Sequence, residues 1–459
     1  MNPQQQFEKL SLAPNLDINT RINRLKSLKK VINENTENLI VALNKDFGRR
    51  SANETILAEI FTCNEEINHT LKHLKSWTRP RTKMAGLKFL FSKNEIIPQP
   101  LGVVGIISPW NYPFNLAIAP LIAAIAAGNR VMIKPSEMTP NTSQLIADML
   151  STVFNENEVL VSVGDLKVAQ EFSRLPFKHL LFTGSTAVGK IIMENASCHL
   201  TPVTLELGGK SPVVIEEDYD IGKAAKSIVG GKFFNAGQTC IAPDYILVSS
   251  SKVEQLTNAI IEEFNRCYPD ITNNSEYTAI INQNHFNRLN SLVADSESSG
   301  QCIYPQGKPE PNNDGVFPPV LVVNPQPNSK VMHQEIFGPI LPIISVKSVE
   351  ESIDFINSRD NPLTLYIFSD NKRFKDKVLR ETLSGSVAIN ETLFQFVQQG
   401  IPFGGVGQSG MGSYHGLNGF NSFSHLKTVY HQSRINFNHL IRAPFTPLKQ
   451  KIIKFLRFL

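Results

Sequence analysis

Residues 179–193 read His-Leu-Leu-Phe-Thr-Gly-Ser-Thr-Ala-Val-Gly-Lys-Ile-Ile-Met, an apolar run that breaks at Gly184-Ser185 and resumes as a helical pattern. Strand, glycine turn and helix in that order is the layout that sets a pyrophosphate at a helix N-terminus. The stretch comes close to GxxxxGK[ST], but Ile191 stands where that motif needs a magnesium-binding hydroxyl, and the three glycines of GxGxxG are absent. The same texture extends outward. Leu101–Ile107, the apolar run after Pro113 and Arg130–Ile133 alternate strand and helix before it, and a second alternating region follows Lys210. There Pro212–Ile215, Tyr245–Val248, Leu341–Val346 and Leu365–Phe368 read as strands, with helices expected over Ile221–Phe234 and Val253–Tyr268. Alternation of this kind implies βαβ units, so the fold class is α/β with two parallel-sheet domains. Residues 7–80 carry apolar positions at helical spacing and form a helical lead-in.

The composition excludes several classes of function. With 45 basic and 41 acidic residues the net charge is +4, too even a balance for a chain that binds nucleic acid over its whole surface. The five cysteines are scattered and form no CxxC or Cys/His pair, so neither a disulfide framework nor a metal site is signalled. The opening residues lack the pattern of a secretory signal, and a reducing, cytoplasmic setting is the expectation. Leu116–Ala127, the longest apolar run, is too short to span a bilayer and contains Pro120, which makes it a candidate buried helix.

A small set of residues has the chemistry for a site. Cys240, in Gly-Gln-Thr-Cys-Ile-Ala-Pro, lies on a loop where backbone N–H groups favour a thiolate, though a lone cysteine among apolar neighbours also suits a core. Glu206 ends an apolar strand before two glycines. It is either a partly desolvated general base or the salt-bridge partner of Lys210. Asn111, just beyond the strand 101–107, either donates to an oxyanion or closes an Asx turn before proline. Lys134 and Glu137 in Lys-Pro-Ser-Glu are placed to hold ribose hydroxyls or to form an exposed capping pair. Glu335 and Phe337 in Glu-Ile-Phe-Gly-Pro and Phe403 in Pro-Phe-Gly-Gly sit on loops. Phe403 reads equally as a pocket aromatic or as core, and Asn390 as a site residue or a turn former.

Taken together and in this order, PWNYPFNL (109–116), KPSE (134–137), FTGSTAVGK (182–190), LELGGKSP (205–212), GQTC (237–240), EIFGP (335–339) and PFGG (402–405) resemble the aldehyde dehydrogenase superfamily from about residue 96 to about 430. The basic C-terminal segment and the bulky PWNYPF are most similar to the class 3 branch, which takes fatty and aromatic aldehydes. The resemblance implies two Rossmann-like domains, one cofactor-binding (1–79 and 101–207) and one catalytic (208–420), plus a small β oligomerisation element (80–100 and 421–435) and a tail (436–459). It implies Cys240 as nucleophile, Glu206 as the base for the hydrolytic water, and Asn111 as an oxyanion donor. For NAD and/or NADP it implies Trp110, Lys134, Glu137, Phe182, Gly184, Ser185, Glu335 and Phe337. Tyr112 and Phe403 are the expected substrate-pocket residues, and no metal is called for. The implied reaction converts an aldehyde to an acid by way of a thiohemiacetal, hydride transfer and a thioester. The alternatives are a CoA-acylating semialdehyde dehydrogenase and a non-catalytic binding or structural protein on the same scaffold. A homodimer with shared strands is expected.

No Asp or Glu follows Glu391, whereas Lys449, Lys451, Lys454 and Arg457 crowd the end. Drawn as a helix, Leu448, Ile452, Phe455, Leu456 and Leu459 share one face, so residues 444–459 are a candidate for peripheral membrane contact. Covering the substrate entrance and packing on a partner are the other readings of this tail.

Overall fold

In the computed structural model, which describes residues 1–83, 92–309 and 314–457, the strands collect into three sheets. The first has the order Gly410–Met411, Val203–Glu206, Leu180–Thr183, Val103–Ile107, Arg130–Lys134, Val159–Val161, all parallel except the two-residue edge strand. Chain order reverses at Val103–Ile107: the next two strands lie on one side of it and the following two on the other. In an open parallel sheet that reversal leaves a crevice at the strands' carboxyl ends, and ligands bind there. The loops leaving that point are Ser108–Phe114 and the Gly184-Ser185 turn.

The apolar run is a buried helix, Asn115–Ala127, with all its residues in the core and Gly128 in the left-handed conformation (φ 93°) closing it. It packs against the helices Ile18–Glu34 and Thr62–Trp77 of the lead-in. Burying a side chain such as Leu121 or Ile125 completely is worth about 1.5–3 kcal/mol, which explains how a helix with no polar face is stable here.

The second sheet runs Gln301–Ile303, Val320–Val323, Ile340–Val346, Tyr245–Ser249, Pro212–Ile215, Thr364–Phe368, Ser386–Ile389, parallel apart from its first pair. The third pairs Arg81–Lys83 with Lys93–Pro100 and that strand with Ser424–His431, all antiparallel. Helix Pro447–Leu456 follows, with Leu448 and Phe455 well exposed; Leu459 of the expected apolar face lies outside the described residues. No helix among the described residues is long and apolar enough to cross a membrane.

The chain division at 420 needs one correction. Gly410–Met411 pairs with Leu205 and Glu206, and helix Gly416–Ser422 packs on Asn115–Ala127, so residues 410–422 rest on the first sheet rather than the second. The cause is backbone geometry. Gly410 (φ 144°) and Gly412 (φ 81°) turn the chain onto the open edge of the Glu206 strand, where a Cβ on Gly410 would strike the Leu205 carbonyl.

Candidate active site

Helix Ile221–Phe233 stops where Phe234 turns extended (ψ 128°), and the residues after it cannot resume it: Asn235, Ala236 and Gly237 have φ of 52°, 50° and 75°. Gly237 is pressed against the Gly338 carbonyl and leaves no room for a side chain. Gln238, fully buried, donates to the carbonyls of Asn235 (3.0 Å) and Ala279 (3.0 Å) and accepts from Ile281 N (3.0 Å). This network holds the loop that presents Cys240, half-buried, to a cavity of about 500 Å³. Ile241, Phe234, Leu57, Phe61, Phe396 and Leu116 make most of its walls apolar.

Asn111 reaches the same loop from the other side. Its Nδ2 donates to the Gln238 carbonyl (3.1 Å), and the neighbouring Tyr112 hydroxyl is 2.6 Å from Thr239 Oγ1. Tyr112 lines the cavity. Phe403 does not, and that expectation is corrected. Its ring is buried between Phe396, Tyr414 and His415, and its backbone bonds to Tyr414 in both directions, so it backs the wall formed by Phe396. Asn390 is a turn former: with φ 58° it accepts from Ser369 N (2.8 Å).

Glu206 ends its strand at 3% exposure with neither carboxylate oxygen hydrogen-bonded. The salt-bridge alternative is removed, because the Lys210 ammonium pairs with Asp244 and donates to the carbonyls of Val331 (2.7 Å) and Gln334 (2.9 Å). Burial pushes the Glu206 carboxyl well above the usual carboxylate range. The thiol behaves differently from the expectation that the loop favours thiolate. Burial, reinforced by the charges of Glu335 and Glu206, pushes Cys240 up to about 12, against a smaller downward pull from the N–H groups of Cys240 and Ile241.

On the opposite side a polar cavity of about 780 Å³ is lined by Thr186, Gly208, Gly209, His333, Glu335 and Gln408. Ser185 caps helix Thr186–Ser197 (Val188 N to Oγ, 3.4 Å), and Gly184 N donates to the Glu206 carbonyl (3.0 Å), tying this turn to the base. Phe182 is buried beneath the turn, where a Cβ on Gly184 would come 2.5 Å from its ring. Lys134 donates to the Pro135 carbonyl (2.6 Å) and approaches Glu137 (3.4 Å), whose carboxylate stays accessible. Trp110 packs on Phe337 (5.3 Å between ring centres) and on His285 (4.8 Å). Glu335, held at about 7 chiefly by burial, keeps Oε1 buried and unbonded, and His285 does the same with Nδ1. Buried polar atoms without partners are costly in a finished protein. With the helix N-terminus at Thr186 lining the same cavity as Glu335, such open groups fit a dinucleotide.

Several residues that hold the site have no sequence signal. Arg288 donates to the carbonyls of Glu335 (3.2 Å) and Ile336 (2.6 Å), and His285 shares its helix, Gln283–Glu297. Arg50, Glu54 and Glu59 sit in the lead-in, where charges normally read as solvated surface.

Comparison with known proteins decides the family, which is matched over residues 5–429. The chain belongs to the aldehyde dehydrogenase family. It is 44% identical to a probable coniferyl aldehyde dehydrogenase of Pseudomonas aeruginosa, covering 96% of this chain and 92% of that protein. It is 43% identical to aldehyde dehydrogenase family 3 member A2 of Rattus norvegicus, covering 88% and 82%. The solved substrate-bound state of Staphylococcus aureus AldH superposes with a TM-score of 0.94 at 38% identity, over 99% of this chain and 100% of that one. This aldehyde dehydrogenase is therefore an oxidoreductase most similar to the class 3 branch, acting on aldehydes with NAD and/or NADP.

Proposed function

We propose that this aldehyde dehydrogenase releases a free carboxylic acid from a medium- or long-chain aliphatic, or aromatic, aldehyde by way of a thioester on Cys240. The observation that carries this reading is the Glu206 carboxylate, buried, unpaired and close enough to act electrostatically on a thiol at the end of an apolar cavity. The Cys240 sulfur, once deprotonated, attacks the aldehyde carbon to form a thiohemiacetal. One N–H of the Asn111 amide is bonded to Gln238, and the second is free for the developing oxyanion together with the Cys240 N–H. NAD(P), when bound, supplies the hydride acceptor; Glu137 and Lys134 address its adenosine ribose, the Gly184-Ser185 turn its pyrophosphate, Glu335 its nicotinamide ribose, and Trp110, Phe182 and Phe337 line its cleft. Glu206 then takes a proton from water, whose oxygen attacks the Cys240 thioester carbon. The acid departs and the sulfur is regenerated. A water-activating base has no task in transfer to CoA, which favours the hydrolytic outcome.

The exposed Ser424–His431 edge suits pairing in a homodimer. The basic helix Pro447–Leu456 with exposed Leu448 and Phe455 suits peripheral contact with an anionic membrane surface, and removing 444–459 then lowers co-sedimentation with anionic liposomes. The enzymatic reading is tested by following NADH or NADPH formation and acid release over a panel of alkyl and aryl aldehydes, with and without CoA. The expected result is acid formation independent of CoA and lost in Cys240→Ser. Full turnover in that variant, or acyl-CoA as the product, would overturn it.

A further inference from the structure

Two loops must meet for the chemistry, one bearing Asn111 and one bearing Cys240, and both are gripped by one short stretch of the helical lead-in. Glu59 Oε2 accepts from Asn115 N (2.6 Å), at the end of the Asn111 loop. Glu54 Oε1 accepts from Asn235 N (3.0 Å), in the turn that leads to Cys240, and its Oε2 accepts from Thr278 Oγ1 (2.7 Å). Arg50 lies between them. Its Nη1 donates to the Asn111 carbonyl (2.8 Å), its Nη2 is 3.4 Å from Glu59 Oε1, and its guanidinium lies over the rings of Tyr112 (5.1 Å) and Phe47 (4.5 Å). The Asn111 carbonyl also accepts from Asn235 Nδ2 (3.2 Å), so both arms converge on the residue whose amide faces the oxyanion.

The helix is wound to make this possible. Ile56–Phe61 is a π-helix between two α-helical stretches. In an α-helix, residues five apart point about 140° away from each other. The wider π turn brings such residues round to the same side, and insertions of this kind persist mainly where function needs them. Glu54 and Glu59 both feel the Arg50 charge, while Leu57, Ala58 and Phe61 on the other side line the substrate cavity. All three charged side chains are buried, at 3% (Arg50), 6% (Glu54) and 0% (Glu59) exposure. Burying three ionisable groups is a heavy cost for stability alone, and hydrophobic replacements of similar volume often do as well. Rigid placement of reacting groups is a benefit that apolar packing does not supply.

We propose that Arg50, Glu54 and Glu59 are positioning residues for aldehyde oxidation: a brace that clamps the Asn111 loop to the Cys240 loop and sets the spacing of amide and thiol before substrate arrives. The proposal rests on the roles assigned above to Asn111 and Cys240. Its test is a double-mutant cycle between Arg50→Met and Asn111→Ala, measuring kcat, both KM values and thermal unfolding. Arg50→Met should lower kcat by roughly 10- to 100-fold, the scale of a small misplacement of reacting groups, with the aldehyde and cofactor KM changed less than about twofold. In the Asn111→Ala background the same substitution should cost less than about twofold more, because the group it positions is gone. Glu59→Gln keeps side-chain volume and carries the same cycle if Arg50→Met does not fold. Wild-type kcat in the brace variants, or an equal fold-loss in both backgrounds, would overturn the brace while leaving the catalytic assignment intact. Wild-type kcat in Asn111→Ala alone would overturn both.

Discussion

The apolar cavity that ends on Cys240 and the polar cavity around Glu335 differ in how far the chain completes them. On the Cys240 side the groups around the thiol are mostly bonded within the protein: Asn111 to Gln238, Tyr112 to Thr239, Gln238 to three backbone groups, while the Glu206 carboxylate and, in the turn before Cys240, Asn235 Oδ1 stay open. On the other side Glu335 Oε1 and His285 Nδ1 are buried without partners and the Glu137 carboxylate faces solvent. The difference teaches where a polar ligand is awaited. An apolar substrate needs shape and few hydrogen bonds, so its cavity can be finished in advance. A dinucleotide is polar, and the groups that will bond it must stay open until it binds.

The largest test of this contrast falls on the open group of the apolar side. Glu206→Gln should lower steady-state turnover by roughly 10²–10⁴-fold, as expected for loss of a general base, while a single-turnover burst of reduced cofactor survives because the thioester still forms. The pH dependence carries a sign. A carboxyl raised by burial stays protonated through the range in which ordinary carboxylates are ionised, and only its ionised form can take a proton from water. Hydrolysis in the wild type should therefore strengthen as pH rises, and stopped-flow measurement of thioester breakdown should find that limb missing in Glu206→Gln. A full steady-state rate in the variant would erase the distinction between open and closed groups.

On the polar side, Glu335→Gln should raise the cofactor KM by about tenfold, the scale of one charge-assisted hydrogen bond, and leave the aldehyde KM within about twofold. Equal effects on both would mean that the cavities are not separate in function. The smallest effect is expected at the apolar wall. Phe61 is half exposed, so Phe61→Ala gives up about half of an aromatic side chain's burial, roughly 1 kcal/mol. That corresponds to about a fivefold rise in KM for a long-chain aldehyde, with little change for a short one in the same assay.

Much of this is legible in the sequence. The strands and helices were readable because parallel strands buried on both faces are continuous apolar runs, and the turns between them are marked by glycine and proline. The Cys240 loop, the Glu206 strand end and the Gly184-Ser185 turn stood out because their residue types are unusual where they occur. Phe403 was not decidable, since an aromatic in a Pro-Phe-Gly-Gly turn looks the same whether it faces a cavity or backs one. The pairing of Gly410–Met411 with the Glu206 strand has no signal in the sequence, because an edge pairing two residues long leaves no periodicity to read.

The sequence alone determined that Cys240, Glu206 and Asn111 exist on loops and strand ends of an α/β chain, since side-chain chemistry and period-dependent burial are local properties. Only the tertiary structure decided what each of them feels. Whether Glu206 meets Lys210 or stands unpaired depends on where Asp244 lies, 34 residues beyond Lys210 in the chain. The hold of Arg50, Glu54 and Glu59 on two distant loops depends on hydrogen bonds spanning 56 to 224 residues. Ionisation states and hydrogen-bond partners are set by distance in space, and a residue's neighbours along the chain carry almost none of that information.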